Sequence, residues 1–282
     1  MSTRPAHGKR YPSWGSLLLL LLVIVVFMLL WGLLLKGIFR LEWAALSQLD
    51  ALPQHVKDTY SIGLYLALLF STAYFWLVWE GRRPNELGLR FSRKALGEGL
   101  LLGGGGIAVV YALELELGWT HFRPPGQWPL SMVASALLAG AGFALVEEVV
   151  FRGVLLQTLL RDRKPATAFA VSAAVFASVH FIRPGLRPIE SIVPFLGLFM
   201  TGLLLAYTAH RRKSLVPGIA MHGLWVVFIT LSSRLNLWDY AANRLAWTGY
   251  GHPISGLLAS LVMLLLLVGL VWRDRGRQAA AQ

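Results

Sequence analysis

The chain has no cysteine among its 282 residues, so it can form no disulfide and offers neither a thiol nucleophile nor a thiolate metal ligand. Charge is scarce as well, at 14% of residues, and acids are scarcer than bases: 14 Asp and Glu stand against 26 Lys and Arg, for a formal net charge of +12. Any chemistry therefore falls to carboxylate, imidazole, hydroxyl or guanidinium groups. A water-soluble domain needs a polar skin that a chain 56% hydrophobic, with a mean hydropathy of +0.60, cannot supply. No low-complexity tract, fixed-period repeat or long linker interrupts the sequence, so a single membrane domain over residues 1–282 is expected.

What is present is a series of apolar runs near the ~20 residues that a helix needs to cross a bilayer, and helices are the spanning element that satisfies its own backbone in lipid. Eight candidate spans follow, at Leu17–Leu35, Ser61–Trp79, Gly99–Leu115, Leu130–Leu160, Ala166–Ile182, Ile189–Ala209, Leu215–Leu231 and Ile254–Trp272. The fold class is an all-α polytopic membrane protein of about eight transmembrane helices. The fourth run is too long for one perpendicular crossing, so its second half is expected to tilt strongly or leave the hydrocarbon.

The basic residues sit between these runs. One set of alternate segments holds Arg4, Lys9 and Arg10, then Arg82, Arg83, Arg90, Arg93 and Lys94, then Arg161, Arg163 and Lys164, then Arg211, Arg212 and Lys213, then Arg273, Arg275 and Arg277. The opposite set holds only Lys36, Arg40, Lys57, Arg123, Arg183, Arg187, Arg234 and Arg244. This bias puts both termini in the cytoplasm, and it accounts for the positive charge without nucleic acid as a partner. The first run is longer than a typical signal-peptide core, so a retained anchor is expected. Trp14, Trp31, Trp79, Trp119, Trp128 and Trp272 fall near the proposed span ends, where an indole favours the interface.

Ionisable groups at lipid depth are costly and mark function by default. The fourth run carries Glu147, Glu148 and Arg152, the fifth His180 and the seventh His222, whereas the aspartates at 50, 58, 162, 239 and 274 fall in expected loops or tails. Glu148 and Arg152 are four apart and share a helix face. They form either a self-satisfied pair that locks packing or a support for Glu147, which points about 100° away. Phe176 and His180 likewise share a face. With a turn at Lys164–Pro165, Glu147 and His180 come to nearly the same height on antiparallel helices, while His222 meets them only if the fourth and fifth helices project into the cytosol. A glutamate and two histidines meeting in a partly wet cavity can activate water or hold a divalent metal. Glu114 and Glu116 fall at an outer span end, Gly103–Gly106 is expected to permit close helix packing, and no role attaches to His7, His55, His121, His210 or His252.

Water activated in a membrane points to hydrolysis of a substrate already there. The sequence has no HExxH, no membrane-embedded Asp and no Gly-x-Ser-Gly, which removes three familiar intramembrane protease chemistries. Glu147-Glu148-Val149-Val150-Phe151-Arg152 and Phe176-Ala177-Ser178-Val179-His180 resemble, in order and spacing, the EExxxR and FxxxH motifs of the CAAX prenyl endopeptidase and bacteriocin-processing family of intramembrane proteases, the ABI or CPBP family. His222 matches the third motif, but Val226 stands where that family has Asn or Asp.

The resemblance covers about 130–231 as a catalytic core. It implies an intramembrane endopeptidase, glutamate-type or metal-dependent, acting on a membrane-associated CAAX-like, leader or sorting-signal peptide. Glu147 and His180 would activate water, Glu148 and Arg152 support the site, and His222 stabilise developing charge. If a metal such as zinc takes part, its ligands would be Glu147, His180 and His222. A bacterial inner membrane is the implied location. Val226 favours the alternative of a non-catalytic relative serving as bacteriocin-immunity factor or scaffold. A proton-relaying transporter would need inverted repeats with broken helices, which the sequence does not display.

Overall fold

A computed structural model describes residues 12–42, 52–181, 188–251 and 253–280. Arg4, His7, Lys9, Arg10, Asp50, Arg183, Arg187 and His252 lie outside the described residues. Among the described residues eight long helices make up most of the structure: α1 Ser13–Phe39, α2 Gln54–Tyr74, α3 Arg93–Glu116, α4 Leu130–Glu148, α5 Pro165–Val179, α6 Pro188–Arg212, α7 Val216–Leu235 and α8 Leu257–Ala279. A π-helical turn, Phe75–Trp79, prolongs α2. A longer π segment, Val149–Leu155, and a last turn, Leu156–Leu159, prolong α4. Prolines mark where several helices begin, at Pro12, Pro53, Pro129 and Pro165; a fixed φ and a missing N–H cost nothing there.

Among the described residues seven helices are long and apolar enough to cross a membrane. The fifth run differs from expectation: α5 is 15 residues long, about 22 Å at 1.5 Å per residue, and it stops at Val179 rather than Ile182. The fourth is one continuous helical path of 30 residues, roughly 45 Å long. Its last turns run past the start of α7: a Cβ on Gly153 would lie 3.3 Å from the Leu215 side chain, just ahead of α7, and the helical path continues from there to Leu159.

The basic segments that alternate along the sequence gather at one end of the bundle. The Ser13 N–H donates to Asp162, Arg161 pairs with Glu80, and Gln157 donates to the Glu86 carbonyl. The Leu215 N–H donates to the Gly88 carbonyl. Arg212 grips both Glu98 and Asp274, with Arg273 also on Glu98. Asp274 thus belongs to α8 and is buried, not part of a tail, because it neutralises the arginines around it. Asp58, expected in a loop, lies in α2. At the other end Thr120–Phe122 (β1) pairs antiparallel with Trp238–Tyr240 (β2), Arg123 pairs with Asp239, and Arg234 donates to Ser135.

Glycine sets the closeness of the central helices. A Cβ on Gly103 would come within 2.9 Å of the Met221 Cα, and one on Gly140 within 2.7 Å of the Gly223 carbonyl oxygen. α7 is thereby drawn against α3 and α4, and the Trp225 indole N–H donates to the Gly103 carbonyl at 3.0 Å. Backbone approach of this kind is how helices associate where lipid is as apolar as leucine. Trp31 packs across to α2: its ring covers Gly63, and its N–H donates to the Tyr60 carbonyl. Glu114 also departs from expectation, being 0% exposed, with neither carboxylate oxygen hydrogen-bonded among the described residues.

Candidate active site

Glu147 and Glu148 end the regular part of α4, and the π segment begins at the next residue. A π turn widens the helix, costs hydrogen-bond geometry and tends to occur at functional sites. Here it carries Arg152, whose Nη1 donates to Glu148 Oε1 at 2.8 Å and whose Nη2 donates to the Gly202 carbonyl of α6 at 3.4 Å. Both side chains are fully buried. A carboxylate without this partner would be very costly at such a position.

α7 brings His222 to the same oxygen. His222 Nδ1 is 3.2 Å from Glu148 Oε1, and Nε2 is 3.6 Å from Glu147 Oε2. A carboxylate accepts, so the imidazole donates Nδ1–H to Glu148. The other nitrogen is then directed at Glu147, with the ring's tautomer and orientation set from behind. Glu147 Oε2 has no hydrogen-bond partner among the described residues although it is buried. Its other oxygen, Oε1, accepts from the Tyr65 hydroxyl of α2 at 2.8 Å.

Phe176 joins the remaining pieces. Its ring lies under the Arg152 guanidinium, 4.4 Å from centroid to Cζ, and edge-on to Phe151, His180 and His222 at 5.2, 4.7 and 5.9 Å. A cation over an aromatic face is attracted by the ring quadrupole. Ser172 donates to the Phe151 carbonyl at 3.0 Å, so the register of α5 on α4 runs through Ser172–Phe151 and Phe176–Arg152. One turn beyond Phe176, just past the end of α5, comes His180. It caps α5 as an exposed residue, with Nδ1 2.7 Å from the Phe176 carbonyl.

The structure therefore brings Glu147, Glu148, Arg152 and His222 into direct contact, with His180 reaching them through Phe176. The three residues named as metal ligands do not converge. Among the described residues no group of three or more His, Asp or Glu side chains is arranged to hold a metal ion, so the residues present do not fit a metal centre. Two further participants were not singled out from the sequence. Gly218 admits Glu148, since a Cβ there would lie 2.8 Å from Glu148 Oε2. Tyr65 is one of several hydroxyl residues in its apolar run, and no local signal distinguishes it.

The stretch holding α4, α5, α6 and the first half of α7 is similar to a known family. Residues 127–228 match the Rce1-like family of type II CAAX prenyl endopeptidases. The motifs around Glu147, Phe176 and His222 all fall within the matched CAAX endopeptidase region, whereas Tyr65, α1 to α3 and α8 lie outside it. No curated protein matches the chain.

Proposed function

We propose that the protein is an intramembrane endopeptidase that hydrolyses a peptide bond of a membrane-associated substrate with water activated by Glu147. The observation that carries this reading is the line Arg152–Glu148–His222–Glu147, in which a buried ion pair orients an imidazole toward a second, partner-poor carboxylate oxygen. The match of residues 127–228 to the Rce1-like CAAX prenyl endopeptidase family supports it.

In this mechanism Glu147 Oε2 takes a proton from water as the water oxygen bonds to the scissile carbonyl carbon. The resulting negative oxygen is stabilised by His222 when Nε2 carries a proton. Collapse of the tetrahedral intermediate breaks the C–N bond, and the proton held by Glu147 passes to the leaving amine. His180, exposed and edge-on to Phe176, is open to water or substrate. No step needs a metal. The substrate class is a CAAX-like, leader or sorting-signal peptide. The location is a bacterial inner membrane with both termini cytoplasmic, as the clustering of basic segments at one end supports.

The experiment is a comparison of membrane-associated peptide termini from host cells carrying wild type or Glu147→Ala at matched expression. Termini that vanish in the mutant support the protease and name its substrate. Identical termini, with a phenotype on deleting the whole protein, favour a second reading: a non-catalytic relative acting as immunity factor or scaffold. Val226, an apolar residue one turn beyond His222, is the observation on that side.

A further inference from the structure

We propose that Tyr65 is a positioning residue for Glu147, so that the site is completed by a helix outside the family-matched region. This rests on the reading of Glu147 as the base. Tyr65 lies in α2, and its ring stacks on Phe143 of α4, with centroids 4.3 Å apart and planes at 22°. Phe143 is four residues before Glu147, hence one turn away on the same face. A ring lying along that face carries its hydroxyl to the carboxylate, where it donates to Oε1 at 2.8 Å.

The consequence concerns which oxygen reacts. A carboxylate on a two-carbon stem rotates between rotamers unless one oxygen is held. Tyr65 occupies Oε1, which leaves Oε2 as the oxygen facing His222 Nε2 at 3.6 Å. Val226 provides no donor to Glu147, whereas Tyr65 does so from across the bundle. α2 is itself braced by α1 through Trp31 on Gly63, so the first two helices take part in shaping the site. Aligned geometry of this kind contributes through orientation, not through binding of substrate.

The test uses the full chain in detergent with an internally quenched, farnesylated peptide ending in a CAAX sequence. Tyr65→Phe keeps the ring and removes only the hydroxyl. It is expected to lower kcat by about 10- to 100-fold, as loss of a supporting hydrogen bond does, with KM within about twofold of wild type. Phe143→Leu, which keeps the hydroxyl and removes its stack, is expected to change kcat in the same direction by less. An infrared measurement on ring-labelled tyrosine needs no substrate. The phenol C–O band lost in Tyr65→Phe is expected to move in Glu147→Ala.

Wild-type kcat in Tyr65→Phe, with Glu147→Ala inactive, overturns the proposal. A tyrosine band unmoved by Glu147→Ala overturns it too. Equal product release by wild type and Glu147→Ala sinks the hydrolytic reading instead, and the infrared band then decides alone whether Tyr65 holds Glu147.

Discussion

His222 and Arg152 share one oxygen: Glu148 Oε1 lies 3.2 Å from His222 Nδ1 and 2.8 Å from Arg152 Nη1. One buried carboxylate thus settles a guanidinium on its own helix and an imidazole on α7. The pair is a support for chemistry and a fold constraint at once, and substitutions separate these roles.

Arg152→Ala leaves Glu148 buried without its counter-charge, which is expected to cost about 3–5 kcal/mol. Replacing both by Met removes the two charges together and is expected to recover most of that stability without recovering hydrolysis. Thermal unfolding in detergent beside the peptide assay checks both. A double variant no more stable than Arg152→Ala contradicts the account.

Gly218→Ala adds one methyl against Glu148 Oε2. That oxygen must shift, and the shift passes to His222. A folded protein with turnover reduced about tenfold is expected, the scale seen when a supporting contact is disturbed. Unchanged kcat would show that the carboxylate has room the geometry denies it.

Gly103→Ala and Gly105→Ala are a matched pair on α3. The first drives a Cβ against the Met221 backbone and is expected to cost about 1–3 kcal/mol. The second meets nothing within 4 Å and is expected to leave the melting temperature within a degree or two, given the ~1 kcal/mol helix advantage of Ala over Gly. Equal melting temperatures would argue against the close α3–α7 approach.

Acid should loosen the segment before α3 first. The Arg83 backbone N–H donates to the Glu86 carboxylate and holds it below its ordinary 4.5, helped by Arg82. A lowered folded-state value contributes stability that is present above 4.5 and lost as pH falls through the folded value. Amide exchange at residues 83–88, corrected for its intrinsic pH dependence, should show protection falling below pH 4.5, and Glu86→Gln should abolish that pH dependence. Protection independent of pH in the wild type would exclude this cap.

The helices were legible in the sequence because lipid demands long apolar runs, and the alternation of basic loops follows from the cost of moving charge across a bilayer. Glu147, Glu148, Arg152, His180 and His222 stood out for the same reason: each is expensive at its position. Two features deceived. α5 is shorter than its apolar run because the chain leaves the helix at His180, and Asp274 is buried by arginines from other segments.

Composition and spacing alone determined a polytopic helical protein and the carboxylate pair with its arginine. Only the tertiary structure decided that His222 sits between the two glutamates, that Tyr65 of α2 holds the outer one, and that His180 reaches the group through Phe176. Those relations depend on the rotation of each helix about its axis and on the depth at which glycines let helices approach. Neither is written in local periodicity, because every helix shows lipid much the same apolar face however it is turned.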